Sequence, residues 1–224
     1  MAALRRAATD LTNSVHRPLD VAYAIDRALA ASRAEGPLKG RVDPARIGVA
    51  GHSFGAYTAL AVAGQGSDRV ARLRDPRVRA AIVMSPPANR VGAAAFSGIA
   101  IPVLLMTGTL DESPIGNSTA ADRRKIFPLL TGAEAFLLVL NGGDHMVFSG
   151  RGRTASSLPI PGWQGDPAKD AGFQACIKAT SLAFLDAFLR GDATAKRWLS
   201  SETGARALIG PRDTWEHHPA PSKP

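Results

Sequence analysis

Residues Arg46 to Leu60 read R-I-G-V-A-G-H-S-F-G-A-Y-T-A-L, and this stretch decides the fold. Ile47 to Ala50 are apolar and partly β-branched, the composition of a buried strand. Gly51, Ser53 and Gly55 form G-x-S-x-G, and Ala56 to Ala63 favour helix with little side-chain bulk. Strand, tight turn and helix together make a nucleophile elbow, which raises the Ser53 hydroxyl above the end of the sheet. Glycine at 51 and at 55 is expected to let strand and helix approach closely. Ser53 then sits near a helix N-terminus, where free N–H groups and the helix dipole favour negative charge. The N–H of Phe54 is the predicted donor to an oxyanion forming on an attacked carbonyl. The motif alone is weak, because a chain this rich in Gly and Ser yields roughly one chance match in seven. An ordinary Gly-rich turn is the competing reading. The apolar strand before Gly51 and the Ala-rich helix after Phe54 favour the elbow.

Outward from the elbow, three more strands are predicted: Arg79 to Ser85, Ile101 to Thr107 and Phe136 to Leu140. Each is a short apolar run; the first is stopped by Pro86-Pro87 and the last by Asn141-Gly142-Gly143. Before the elbow, residues 1–16 form an Ala/Arg-rich helical lead-in. A helix then starts at Arg17-Pro18-Leu19-Asp20 and carries Val21, Ile25 and Leu29 on one face. Asn117 to Leu130 is predicted mostly helical, bent or ended by Pro128. Residues 148–169 form a long Gly-, Pro- and Ser-rich loop. Asp170 to Arg190 is an amphipathic helix with Phe173, Ile177, Leu182, Phe184, Leu185 and Phe188 as core candidates. Continuous apolar strands alternating with helices indicate an α/β fold with a parallel sheet of about four strands. The expected organisation is one domain over 1–193 and a polar, Pro-rich tail over 194–224, loose from about residue 200.

The 224 residues suffice for one domain with a sizeable core, and 45% are hydrophobic. The net charge is +8, but the basic clusters (72–79, 123–125, 151–153) are scattered. Only 6% of residues are aromatic, so solvated surface charge explains the basicity better than nucleic-acid binding. Cys176 is the single cysteine; it excludes an internal disulfide and fits a small core residue. No apolar run is long enough to span a membrane, and no signal peptide is visible, so the chain as written is expected in the cytoplasm.

In parallel α/β sheets, chemistry gathers at the carboxyl ends of the strands. Ser53 follows the first strand, Asp111 the third and His145 the fourth. Ser, Asp, His is the chain order that α/β-hydrolases use. His145 Nε2 would take the Ser53 proton and pass it to the leaving group, while Asp111 would hold the Nδ1 proton and fix the tautomer. Each residue has a rival. Asp111 could merely cap its turn. Glu112 is the next acid, and Asp144 ranks lower because adjacent loop side chains diverge. His145 could be an ordinary loop histidine. His52 is read as support for the elbow, His16 as a residue before the first helix, and His217 and His218 as a surface pair. There is no zinc-type Cys/His/carboxylate spacing and no nucleotide-binding glycine motif, so neither metal nor cofactor is expected.

Arg17-Pro18-Leu19-Asp20, the Gly51 to Gly55 elbow, Gly108 to Gly116, Asp144-His145 and S-L-A-F-L-D-A-F-L-R-G-D (181–192) together resemble bacterial platelet-activating-factor acetylhydrolase-like hydrolases. These belong to the dienelactone-hydrolase-like branch of the α/β-hydrolase superfamily. The resemblance covers about residues 16–192 and implies metal-independent hydrolysis of carboxylic esters. Dienelactone hydrolases proper carry cysteine in the elbow; serine here implies ordinary esterase chemistry. Complete members have eight strands with the elbow strand fifth, so the chain is expected to be the C-terminal part of a longer hydrolase. A longer start could carry a leader to the periplasm or outside. The same comparison leaves the second oxyanion donor without a source and the elbow strand with an apolar edge open to self-association. Residues 86–100 are too few for a helical lid. The site is therefore expected to be open, with Phe54, Pro86, Phe148 and Trp163 lining an apolar acyl pocket for short- to medium-chain esters. Acyl transfer, peptide hydrolysis and a non-catalytic interaction module are the competing functions.

Overall fold

The computed structural model describes residue 6 and residues 10–66, 73–88, 92–113, 116–150 and 164–221. Among the described residues five strands form one sheet in sequential order: β1 (Ile47–His52), β2 (Val78–Met84), β3 (Val103–Leu110), β4 (Ala135–Asp144) and β5 (Thr214–His218). The first four are parallel and β5 is antiparallel to β4. β1 lies at one edge, bonded within the sheet to β2.

Period-two alternation builds two cores from one set of apolar runs. Ala81 and Val83, Val103 and Leu105, and Ala135, Leu137 and Val139 face one side, against Ala56, Ala59, Leu60 and Ala63 of helix α2 (Phe54–Ala63). Ala80, Ile82, Leu104, Met106, Phe136, Leu138 and Leu140 face the other, against Phe173, Ile177 and Phe184 of helix α4 (Asp170–Leu189). Small residues along α2 let it lie close on the sheet, which fixes the height of the elbow it starts from. Leu182, expected in the core, is 62% exposed.

Helix α1 (Leu11–Arg33) starts six residues before Arg17, with the Asp10 side chain accepting from Thr12 N–H. Proline inside a helix deletes the bond to the carbonyl four residues back. That carbonyl belongs to Ser14, and the Tyr57 hydroxyl donates to it at 3.3 Å. Arg17 is fastened to α2 as well, with Nε 3.3 Å from Thr58 Oγ1 and its guanidinium 4.8 Å over the Phe54 ring. The R-P-L-D segment therefore docks α1 on the elbow helix and does not begin a helix. At the other end Arg77, within the basic cluster of residues 72–79, bonds Asp75, Asp26 and the Ala22 carbonyl, tying α1 to the start of β2.

Between β3 and β4 the helix is shorter than expected: α3 (Ala120–Arg124), closed by a Thr119/Asp122 capping box, then one 3-10 turn at Phe127–Leu129 that includes Pro128. β4 continues through Asn141, Gly142 and Gly143, which were expected to end it. A Cβ on Gly108 would stand 2.2 Å from the Gly143 carbonyl, so glycine permits this close approach of β3 and β4.

The expected polar tail is part of the fold. Helices α5 (Ala193–Ser200) and α6 (Ala205–Leu208) lead into β5. Leu199 and Ile209 are buried, Trp215 Nε1 donates to the Leu199 carbonyl at 2.9 Å, and the His217 ring stacks on Phe136 at 4.4 Å. Overall polarity concealed this anchoring because three widely spaced apolar residues carry it. Trp215→Ala is expected to cost ~2–3 kcal/mol, the lower range for a large aromatic that is only half-buried, and to lower Tm by about 5–10 °C. A thermal melt unchanged by the substitution would show that 214–218 is not anchored.

Candidate active site

The elbow forms as its sequence dictates. Ser53 has φ 57° and ψ −120°, a conformation that costs about 1–3 kcal/mol for a residue with a side chain. The turn is tight because a Cβ on Gly51 would lie 2.1 Å from the Gly55 carbonyl. Gly55 differs from expectation: a Cβ there meets nothing within 4 Å, so closeness depends on Gly51 alone. The Ser53 N–H donates to the Met84 carbonyl at 2.9 Å, which locks the reversal to the end of β2.

Three side chains separated in sequence converge there. Ser53 Oγ is 3.0 Å from His145 Nε2, and His145 Nδ1 is 2.8 Å from Asp111 Oδ1. Asp111 is 0% exposed and His145 3%, while Ser53 is partly open to solvent. Thr107 Oγ1 donates to Asp111 Oδ2 at 2.8 Å. Burial pushes the Asp111 carboxyl up. The His145 hydrogen bond and the Arg123 charge outweigh it, and Ser85 adds a weaker pull from outside normal bonding geometry. The net result lies below the ordinary value, so Asp111 is an anion at neutral pH.

The rival residues go elsewhere. Glu112 is exposed. Asp144 is fully buried, but its Oδ1 accepts from the N–H groups of Met146 and Val147 and its Oδ2 from those of Gln164 and Gly165, at 2.8–3.1 Å. It is a clamp that closes the segment after His145. His16 is exposed on α1, and His217 and His218 lie on β5. His52 Nε2 lies 2.8 Å from the His145 backbone carbonyl, to which it donates as the Nε2–H tautomer, and its ring is 4.7 Å from the His145 ring. It joins the elbow to the segment that carries His145.

Of the pocket candidates, Pro86 and Phe148 are buried, Phe148 in the core on the α4 side with its ring 6.4 Å from His52. Trp163 lies outside the described residues. Phe54 heads α2, at a position where helix geometry leaves its N–H without an intrahelical partner. A groove of about 500 Å³ lined by Arg124, Lys125, Phe127, Pro128, Glu216 and His218 contains none of the residues around Ser53. Geometry, not cavity size, therefore identifies the site. Among the described residues no cluster of His, Cys, Asp or Glu could hold a metal ion, and no helix is long and apolar enough to cross a membrane.

One participant was hidden. Arg123 was grouped with Arg124 and Lys125 as solvated charge, yet it is 1% exposed and bonded to groups around Asp111. Its spacing carried the signal: Ile126, Phe127 and Leu130, three, four and seven positions further on, are all buried.

A family model described as PET hydrolase-like matches residues 6–163 of the chain. No curated protein sequence matches it.

Two outcomes follow from this geometry. Burial, then the neighbouring His145, lowers the His52 pKa from 6.5 to about 4. The unfolded chain therefore takes up a proton between those values that the folded chain refuses. Stability is intact above about pH 6.5, falls as the pH drops towards 4 and then levels, a change of ~2–3 kcal/mol after discounting for partial exposure. Urea melts at several pH values should show this slope, and His52→Gln should flatten it; an equal slope in the variant would assign it to another group. Asp144→Ala orphans four backbone N–H groups and is expected to cost ~3 kcal/mol or more. Limited proteolysis should then cut between residues 147 and 166, and resistance equal to wild type would contradict the clamp.

Proposed function

The chain belongs to the PET hydrolase-like family, ester hydrolases of the α/β-hydrolase fold, and from that premise we propose that it is a serine esterase acting through Ser53, His145 and Asp111. The observation that carries the reading is the continuous relay from Ser53 Oγ to His145 at 3.0 Å and on to Asp111 at 2.8 Å.

The chemistry follows from the positions. An ester carbonyl placed over Ser53 is attacked by Oγ as His145 Nε2 removes its proton. Asp111 holds the Nδ1 proton, so the free lone pair of His145 faces Ser53, and it stabilises the imidazolium that forms. The Phe54 N–H, with the positive end of α2, donates to the developing oxyanion. His145 protonates the departing alcohol and leaves an acyl-Ser53 intermediate. A water deprotonated by His145 then attacks the acyl carbonyl, and the carboxylic acid leaves as His145 returns the proton to Ser53 Oγ. Ser53, already twisted into the attacking orientation, needs no rearrangement before the first step.

Substrate size follows from the surroundings. The link from β2 to β3 is 18 residues long (85–102), and its described helical content is a single 3-10 turn at Ala93–Phe96, not a lid. Pro86 and Phe148 are kept as the apolar backing of the acyl group, Phe148 beside His52. Esters with short acyl chains are the expected substrates.

Fluorophosphonate labelling with p-nitrophenyl acetate, butyrate and palmitate turnover tests the proposal. Wild type should label and should prefer the two short esters. Ser53→Ala should abolish labelling and lower kcat by about 10⁴-fold or more, and Asp111→Asn by about 10³–10⁴-fold. Well-folded wild-type protein that neither labels nor turns over any ester would refute it.

A further inference from the structure

Arg123 projects from the five-residue helix α3 into the space beneath the three converging side chains. Its Nε is 3.0 Å from the Asp111 backbone carbonyl and 3.1 Å from Asp111 Oδ1. Its Nη1 donates to the carbonyls of Ser85 and Pro86, both at 2.6 Å. Its Nη2 lies 3.4 Å from His145 Nδ1. One planar cation thus touches the ends of β2, β3 and β4 together.

The two groups near His145 Nδ1 compete. Nδ1 carries one proton or one lone pair, never both. A proton on Nδ1 suits Asp111 at 2.8 Å and opposes Arg123; a lone pair there would accept from Arg123 but place the proton on Nε2, facing Ser53. The shorter contact selects the first arrangement. Nη2 then contributes charge near the imidazole without a hydrogen bond. The useful work of Arg123 lies at its other atoms, which hold Asp111 by backbone and side chain while the Ser85 and Pro86 carbonyls fix the guanidinium plane.

Ser85 itself supports this role. It is fully buried and has φ 52°, a left-handed conformation unusual for a residue with a side chain. Its N–H donates to the Met106 carbonyl at 2.8 Å, and the bend turns its own carbonyl to Arg123. The local strain at the end of β2 is thus held in place by the arginine.

We propose that Arg123 is a positioning residue of the triad: its buried guanidinium bolts Asp111 to the end of β2 so that Oδ1 meets His145 Nδ1. The proposal rests on the esterase reading above for its effect on turnover, but not for its structural core. Lysine cannot replace it, because one ammonium lacks the planar fork that reaches the Asp111, Ser85 and Pro86 oxygens together.

Arg123→Lys and Arg123→Met are compared with wild type by thermal melt, by ester kinetics, and by the downfield proton resonance of the His145 Nδ1–H. The expected result is a folded Arg123→Lys protein with kcat lowered ~10-fold and KM within about two-fold, and a loss of ~10²-fold or more in Arg123→Met. The Nδ1–H resonance should move upfield or broaden in both. The resonance is read without substrate, so an inactive wild type would sink the esterase reading while this readout still judged Arg123. Folded variants with unchanged kcat and an unmoved resonance would overturn the proposal. Loss of folding in both variants would also overturn it, by making Arg123 a structural keystone only.

Discussion

A fully buried carboxylate is the constraint around which this molecule is arranged. Moving an unpaired Asp111 charge out of water would cost several kcal/mol, so the surroundings must compensate it or the group must take up a proton. Here compensation comes from Thr107 on β3, from Arg123 on α3 and from His145 beyond β4. Each lies on a different element, so neutralising one charge fixes the relative placement of all of them. Burial draws the Arg123 pKa down, but an arginine starts high enough to remain a cation.

The same pairing gives the rim of the sheet its rigidity. In a parallel sheet every strand reverses at one end, and those reversals would otherwise be loops with independent motion. Ser53 N–H is bound to β2, Ser85 N–H to β3 and the Asp111 carbonyl to Arg123. His52 reaches from the elbow to the carbonyl of His145. The three converging side chains are therefore held by backbone and side-chain bonds that run across the sheet, at right angles to its strands.

Much of this was legible in the sequence, and the illegible part has physical reasons. G-H-S-F-G after an apolar run located the elbow, because few other arrangements require Gly at 51 and an Ala-rich helix directly after. The apolar runs of β3 and β4 pointed to the rim where Asp111 and His145 lie, because such runs are local signals, although β4 continues through Asn141, Gly142 and Gly143. Arg123 escaped because its sign matched its neighbours Arg124 and Lys125, and burial is a property of the fold. Pro18 misled, since the cost of a proline inside a helix is normally prohibitive; the Tyr57 hydroxyl that relieves it is 39 positions away in the chain. β5 escaped because an edge strand of five polar and aromatic residues, T-W-E-H-H, has no apolar run to show.

Asp144 has a consequence beyond its own neighbourhood. One carboxylate ties residues 146 and 147 to 164 and 165, two stretches far apart in the chain, at a single fixed point. The His145 imidazole, one residue before that knot, is anchored by it. Changes of sequence between the two tied stretches can therefore accumulate without releasing the ring.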